Sequence, residues 1–292
     1  MEYWGLSDIG KVRSQNQDAF RIEDLDRHTI LAVVCDGMGG AKAGNIASRL
    51  AIDVFVDEVV NSYRSGMTQE QTEQLLKSSL DLANVTVYEQ AQQFREFTGM
   101  GTTLVAVLMR GKKATIVNVG DSRAYKIDRT GIFQVTRDHS LVQLMVDRGE
   151  LTPELARTYP GKNFITRAVG TEPIVISDIF HQEIQRGDYF LLCTDGLSNM
   201  MDEQEILFEV LHGVKKQNCC QRLLEIAKKN IEIYKEIRHL VQFGDLYRIL
   251  DPEKDEILFN HYVSEDKNES VAFISSVVTK YMKKQMLIKK LN

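Results

Sequence analysis

Three of the places where a carboxylate stands beside glycine in this chain are Asp36-Gly37, Gly120-Asp121 and Asp195-Gly196. The first and third follow short apolar runs, residues 29–35 and 189–193, which read as buried strands. Glycine lets the backbone turn tightly while the neighbouring acid projects from the strand end. A single pair of this kind marks a turn. Three of them constrain the fold to bring carboxylates together, where they can meet hard divalent cations such as Mg²⁺ or Mn²⁺.

The remaining periodicities supply the frame. Residues 44–63 carry Ala47, Leu50, Ala51 and Val54 at helical spacing, and residues 69–94 continue that character. Strands follow at 104–109, 114–119 and 124–127, separated by Gly111-Lys112-Lys113 and Gly120-Asp121. Short helices are expected at 141–147 and 154–159, strands at 175–184 and 189–193, and helices at 203–211 and 219–229. Strands in runs with helices grouped between them predict antiparallel sheets covered by helices, not βαβ alternation.

The acids belong to an ordered series of motifs: Arg13-Ser14-Gln15-Asn16-Gln17-Asp18, Asp36-Gly37-Met38-Gly39-Gly40, Gly101-Thr102-Thr103, Gly120-Asp121-Ser122-Arg123 and Thr194-Asp195-Gly196. Lesser motifs lie at Thr136-Arg137-Asp138-His139-Ser140, Arg167-Ala168-Val169-Gly170 and Gly187-Asp188-Tyr189-Phe190-Leu191-Leu192. Together, from Tyr3 to Lys229, they resemble the bacterial metal-dependent serine/threonine protein phosphatases of the type 2C class, the PPM family. The resemblance implies an α+β fold, a four-layer α-β-β-α sandwich of two antiparallel sheets flanked by helices. It also implies hydrolysis of phosphoserine and phosphothreonine by a metal-bound hydroxide, at a binuclear Mg²⁺ or Mn²⁺ centre with two or three ions.

Residue roles follow from the same resemblance. Asp36 is expected to bridge two ions, with the Gly37 carbonyl as a further ligand; Asp18 acts through bound water, and Asp195 joins the centre. Asp121 joins Asp195 at a third metal site, although Gly-Asp-Ser also suits a turn or cap. Arg13 is the expected phosphate clamp, because a guanidinium offers paired planar donors and stays charged; a surface arginine in a polar loop is the other reading. His139 titrates near neutrality, but Asp138 or Ser140 beside it reads as a helix cap. Arg123 and Arg167 suit structural ion pairs as well as substrate contacts.

After Lys229 the pattern stops. The family has an Asp-Asn pair opening a terminal strand at this point, and its aspartate binds metal. This chain instead reads Asn230-Ile231-Glu232-Ile233-Tyr234-Lys235-Glu236-Ile237-Arg238 and continues through Gln242-Phe243-Gly244-Asp245-Leu246-Tyr247-Arg248. Residues 230–272 resemble a fragment of a bacterial α-galactosidase, too small to set two carboxylates across a sugar pocket. The expected organisation is a phosphatase domain at 1–229 and an atypical segment at 230–292. Within that segment, 269–278 is apolar enough for a terminal strand, Asp266 or Asp245 could replace the missing ligand, and 280–290 reads as a basic helix. The rival reading is a catalytically impaired phosphatase fold that binds phosphoproteins or a kinase.

A net charge of −5 lacks the basic excess of a nucleic-acid binder. Cys35, Cys193, Cys219 and Cys220 show no metal spacing, and the first two read as buried free thiols in a reducing compartment. No signal peptide fits before Arg13, and no apolar stretch reaches the roughly 20 residues that cross a bilayer. A cytoplasmic monomer acting on phosphorylated proteins beside a cognate serine/threonine kinase is expected.

Overall fold

Strands that are apolar at successive positions need cover on both faces, and the sandwich supplies it. The computed structural model describes residues 1–242 apart from 41, 42, 158 and 214, with side chains described as far as Ile231. The larger sheet is antiparallel in the order β1 (Asp18–Asp26), β2 (Thr29–Met38), β4 (Leu104–Arg110), β5 (Lys113–Val119) and β8 (Asp178–Glu183). The two-residue β3 (Gly101–Thr102) pairs with the far end of β2. The smaller sheet runs β7 (Gly131–Gln134), β6 (Arg123–Asp128), β9 (Tyr189–Cys193).

Three apolar clusters separate the four layers. Leu31, Val33 and Cys35 of β2, with Leu104, Ala106 and Leu108 of β4, pack against α1 (Ala43–Ser62) and α2 (Gln69–Gln93). The alternate residues Ala32, Val34, Val105 and Val107 turn inward and meet Phe190 and Leu192 of β9 between the sheets. Tyr189 and Leu191 point outward, under α6 (Glu203–His212) and α7 (Cys219–Gln242). Each strand thus divides its side chains by the period of two. α2 starts at a capping box in which Thr68 and Gln71 exchange bonds, and α6 at another formed by Asp202 and Glu205.

The expected α+β sandwich is therefore found, with instructive departures. β1 carries Asp18, Glu23, Asp24 and Asp26, acids that are depleted in strands; as an edge strand it leaves them half-buried or exposed. β7 is likewise unforeseen. The helix expected at 154–159 shortens to α4 (Pro153–Ala156), ahead of Pro160, which disfavours helical backbone before it. The strand expected from residue 175 begins only at Asp178, where it meets Asn118 of β5. α7 continues unbroken past residue 229. Asp245, Asp266, the expected strand at 269–278 and the expected helix at 280–290 lie outside the described residues.

Phe55 of α1 is fully buried against the larger sheet. Phe55→Ala should lower stability by about 3–5 kcal/mol, read as a lower urea midpoint at unchanged slope. A loss below about 1 kcal/mol would mean that the helix-to-sheet layer is not the stabilising core.

Candidate metal and phosphate site

The register of β1 and β2 sets Asp18 directly opposite Asp36, so two carboxylates become cross-strand neighbours at one end of the sandwich. The Gly37 N–H closes this end by donating to the Gln17 carbonyl at 3.1 Å. Gly37 has no room for a side chain: a Cβ there would lie 1.9 Å from the Gly44 carbonyl oxygen, where α1 begins. Asp36 thus sits within β2, not in the hairpin turn that an Asp-Gly pair alone suggests.

The Gly101-Thr102-Thr103 motif holds Asp36 in place, a role with no signal in the residue pattern. The Asp36 N–H donates to Thr103 Oγ1 at 2.8 Å, and its carbonyl accepts from Thr103 N and Thr102 Oγ1, both at 2.9 Å. Thr103 Oγ1 in turn meets Ser122 Oγ at 2.7 Å, tying this frame to the Asp121 loop. Gly120, just before Asp121, has φ +108° and lies so close to Thr103 that a Cβ would meet its side chain at 2.5 Å.

Asp195 enters from the smaller sheet, opening the short α5 (Asp195–Ser198) after β9. Its neighbour Thr194 donates to Asp18 Oδ2 at 2.9 Å, and Asn199 Nδ2 donates to Asp195 Oδ2 at 3.0 Å. Asp18, Asp36, Asp121 and Asp195 line one large cleft together with Arg13 and Gly37. Arg13 is exposed, and its positive charge reaches Asp18, opposing the rise that burial imposes on that carboxyl.

Charge crowding dominates the electrostatics. Burial pushes Asp36 up to about 9, and the charges of Asp18, Asp195 and Asp121 add to the shift. Burial also raises Asp121 to about 7, with help from Asp195 and Asp138. Asp18 is raised by burial and by Asp195, against its bond from Thr194 and the pull of Arg13. Lys162, which the sequence reading passed over, is lowered by burial against an opposing pull from Asp195, so its ammonium stands within reach of that acid.

The other titratable candidates are structural. His139 Nδ1 accepts from the Gly120 N–H at 3.1 Å, and the His139 N–H returns to the Gly120 carbonyl at 2.9 Å. Its Nε2 stands 3.2 Å from Asp178 and from Arg167, and burial lowers its pKa. This buried, neutral ring supports the Asp121 loop and is not placed as a general acid. Ser140 caps α3 (Leu141–Asp147). Arg123 grips Asp138 with Nε and Nη2, at 2.7 Å for the shorter contact, while Arg167 pairs with Asp178 at 3.1 Å. Cys35 and Cys193 are buried free thiols, as expected.

The acids offer only hard oxygen donors, gathered in a partly buried place where Arg13 and Lys162 offset only part of their negative charge. That chemistry fits Mg²⁺ or Mn²⁺. Among the described residues, no three His, Cys, Asp or Glu side chains stand at ligand spacing; the acids are gathered without being closed into a cage.

The crowding has a thermodynamic sign. With divalent ions chelated, folded Asp36 holds its proton up to about pH 9, whereas an unfolded aspartate releases it near pH 4. The unfolded chain therefore binds fewer protons between those values, and stability falls as pH rises through the window. Asp36→Asn should raise the Tm of the chelated protein at pH 8, and the gain should shrink toward pH 4. A gain that ignores pH would rule out charge crowding as its cause.

Comparison with known proteins agrees with this geometry. The protein phosphatase 2C family model matches residues 10–226. The chain is 38% identical over 201 residues to the serine/threonine phosphatase stp of Listeria innocua, covering 68% of this chain and 79% of that one. The crystal structure of serine/threonine phosphatase Stp1 from Staphylococcus aureus superposes with a TM-score of 0.73 at 37% identity, covering 77% of this chain and 88% of that one. The catalytic domain of the serine/threonine protein phosphatase PstP, in complex with two manganese ions, superposes with a TM-score of 0.65 at 30% identity, over 77% and 90% of the two chains. These relatives favour an enzyme over a binding-only fold. The chain belongs to the protein phosphatase 2C family of metal-dependent serine/threonine phosphatases.

Proposed function

We propose that residues 1–229 form the catalytic unit and that Asp18, Asp36, Asp121, Asp195 and the Gly37 carbonyl hold two or three Mg²⁺ or Mn²⁺ ions. The observation that carries this reading is the gathering of Asp18, Asp36, Asp121 and Asp195 in one cleft, where burial and neighbouring carboxylates raise Asp36 to about 9 and Asp121 to about 7. Such a group of carboxylates is costly when empty of cations. When bound, the cations supply Lewis-acid activation of water and of the phosphoryl oxygens.

The chain's own residues do the rest. Asp36 gives up its proton as the cations enter, so metal affinity rises with pH. Thr194 fixes the orientation of Asp18 through its hydroxyl. Arg13, exposed at the mouth of the cleft and close enough to act on Asp18, clamps two phosphate oxygens of the substrate. His139 takes no part in proton transfer, because Gly120 occupies its Nδ1.

The substrates are phosphoserine and phosphothreonine in proteins, and the partner is the serine/threonine kinase whose products the chain reverses. Free thiols at all four cysteines support a cytoplasmic location. No helix among the described residues is long and apolar enough to cross a membrane.

Hydrolysis of a phosphothreonine peptide should require added Mn²⁺ or Mg²⁺, cease on chelation and vanish in Asp36→Asn. A folded protein that stays inert at millimolar Mn²⁺ would overturn the catalytic reading. Arg13→Ala should lower kcat/KM by about tenfold to a hundredfold, the loss expected for hydrogen bonds to a charged group, with Arg13→Lys recovering only part. An unchanged kcat/KM in Arg13→Ala would remove Arg13 from the phosphate site.

A further inference from the structure

The space between the two sheets is closed on one side and open on the other. Along β2 the helix-facing Leu31 and Val33 are 0% and 1% exposed, whereas Ala32 and Val34, which face the smaller sheet, are only half-buried. The register sets Phe20 of β1 opposite Val34 and Ile22 opposite Ala32, so both point between the sheets. Phe20 is nonetheless 39% exposed. The cause is topological. β6 lies across from β4 and β9 across from β2, so the smaller sheet ends before it reaches β1. Among the described residues β9 pairs only with β6, and its other edge is free.

The slot beside that edge is bounded on every other side. β1 and β2 form its floor, and Leu223, Ala227 and Ile231 of α7 line it from above. The N-terminal segment crosses its outer rim. Tyr3 Oη donates to Asp24 of β1 at 2.7 Å, and Asp8 pairs with Lys228 of α7 at 2.6 Å. Between these ties Gly5 lies against the Phe20 ring, where a Cβ would come within 2.2 Å of it. Anchored at both sides, this segment borders the slot and does not fill it. A strand added to β9 here would meet apolar surface above and below, so it must be apolar at successive positions.

This chain carries such a strand. From Ser270 to Val278 no residue is charged; Val271, Phe273 and Val277 alternate with Ala272, Ile274 and Val278, so both faces are apolar. We propose that residues 269–278 dock in the slot as a strand on the free edge of β9, extending the smaller sheet toward the place opposite β1. The tether allows it. α7 is about 36 Å long at 1.5 Å per residue, and residues 243–268, at about 3.3 Å each, return along it with chain to spare. A segment tethered this closely reaches millimolar effective concentration at the slot, which a second copy of the chain at micromolar concentration does not match.

The test uses the full chain with p-benzoylphenylalanine in place of Phe273. Irradiation at micromolar protein should join position 273 to β1, β2, β9 or α7 within one chain, as read by peptide mass spectrometry. A crosslink between two chains would give the slot to a second copy and overturn the proposal, as would a crosslink to any other surface. Hydrogen exchange of the unsubstituted chain supplies an independent reading. Peptides from 269–278 should exchange at least about a hundredfold slower than an unfolded segment. In Phe273→Asp combined with Ile274→Asp they should lose that protection, and peptides from 189–193 should exchange about tenfold faster, while those from 104–119 stay unchanged. Fast exchange at 269–278 in the unsubstituted chain, or a β9 that does not respond to the double substitution, would overturn the proposal.

Discussion

Thr103 is the residue on which the site depends. Its hydroxyl accepts the Asp36 N–H, its own N–H donates to the Asp36 carbonyl, and its hydroxyl also meets Ser122. Three chain segments are thereby fixed to one another: the end of β2, the start of β4 and the loop that carries Asp121. Thr103 and Ser122 are fully buried, so losing their contact would leave a hydroxyl unsatisfied in a place water does not reach. The network is uncharged, which allows it to sit directly beneath a charged cleft without perturbing it. Rigidity beneath and electrostatic tension above are therefore separated by one layer of backbone.

That tension sets how the molecule stores the free energy it uses. Asp36 and Asp121 are held where their ionised forms are disfavoured, first by burial and then by neighbouring carboxylates, Asp195 among them. The sheets hold them there because their backbone positions are set by strand register and by glycine contacts, neither of which the side-chain charges can shift. Gly37 against Gly44 is the clearest case, since even a methyl group would separate β2 from the start of α1. The fold supplies an anionic hole of fixed position, and hard cations relieve it.

Much of this was legible in the sequence. The apolar runs ending at Asp36 and Asp195 marked the strands, and the two long amphipathic helices matched α1 and α2 to within a residue at each end. Residues 141–147 and 189–193 matched α3 and β9 as expected. β1 was hidden because an edge strand tolerates acids that its composition argues against. Thr102, Thr103 and Ser122 were visible as motif members, but hydroxyl-to-backbone bonds between distant segments leave no periodic trace. Lys162 had no signal at all: a lone lysine in a Pro-Gly-Lys-Asn stretch reads as a solvated loop, and only the folded chain brings it to Asp195. His139 shows the converse, since its residue type suggested chemistry while its bonds to Gly120 make it a strut.

The two thiols nearest the site carry a consequence for how such an enzyme endures. Cys35 directly precedes Asp36 and Cys193 lies two residues before Asp195, yet both are closed off, with 0% and 6% of their surface exposed. Oxidation of cysteine by peroxide needs a reachable thiolate, and neither thiol offers one. On the proposed reading, phosphate ester cleavage rests on carboxylates and an arginine and not on either of these two thiols. Peroxide that attacks exposed thiols would therefore leave Cys35 and Cys193, and the strand ends they occupy, unmodified.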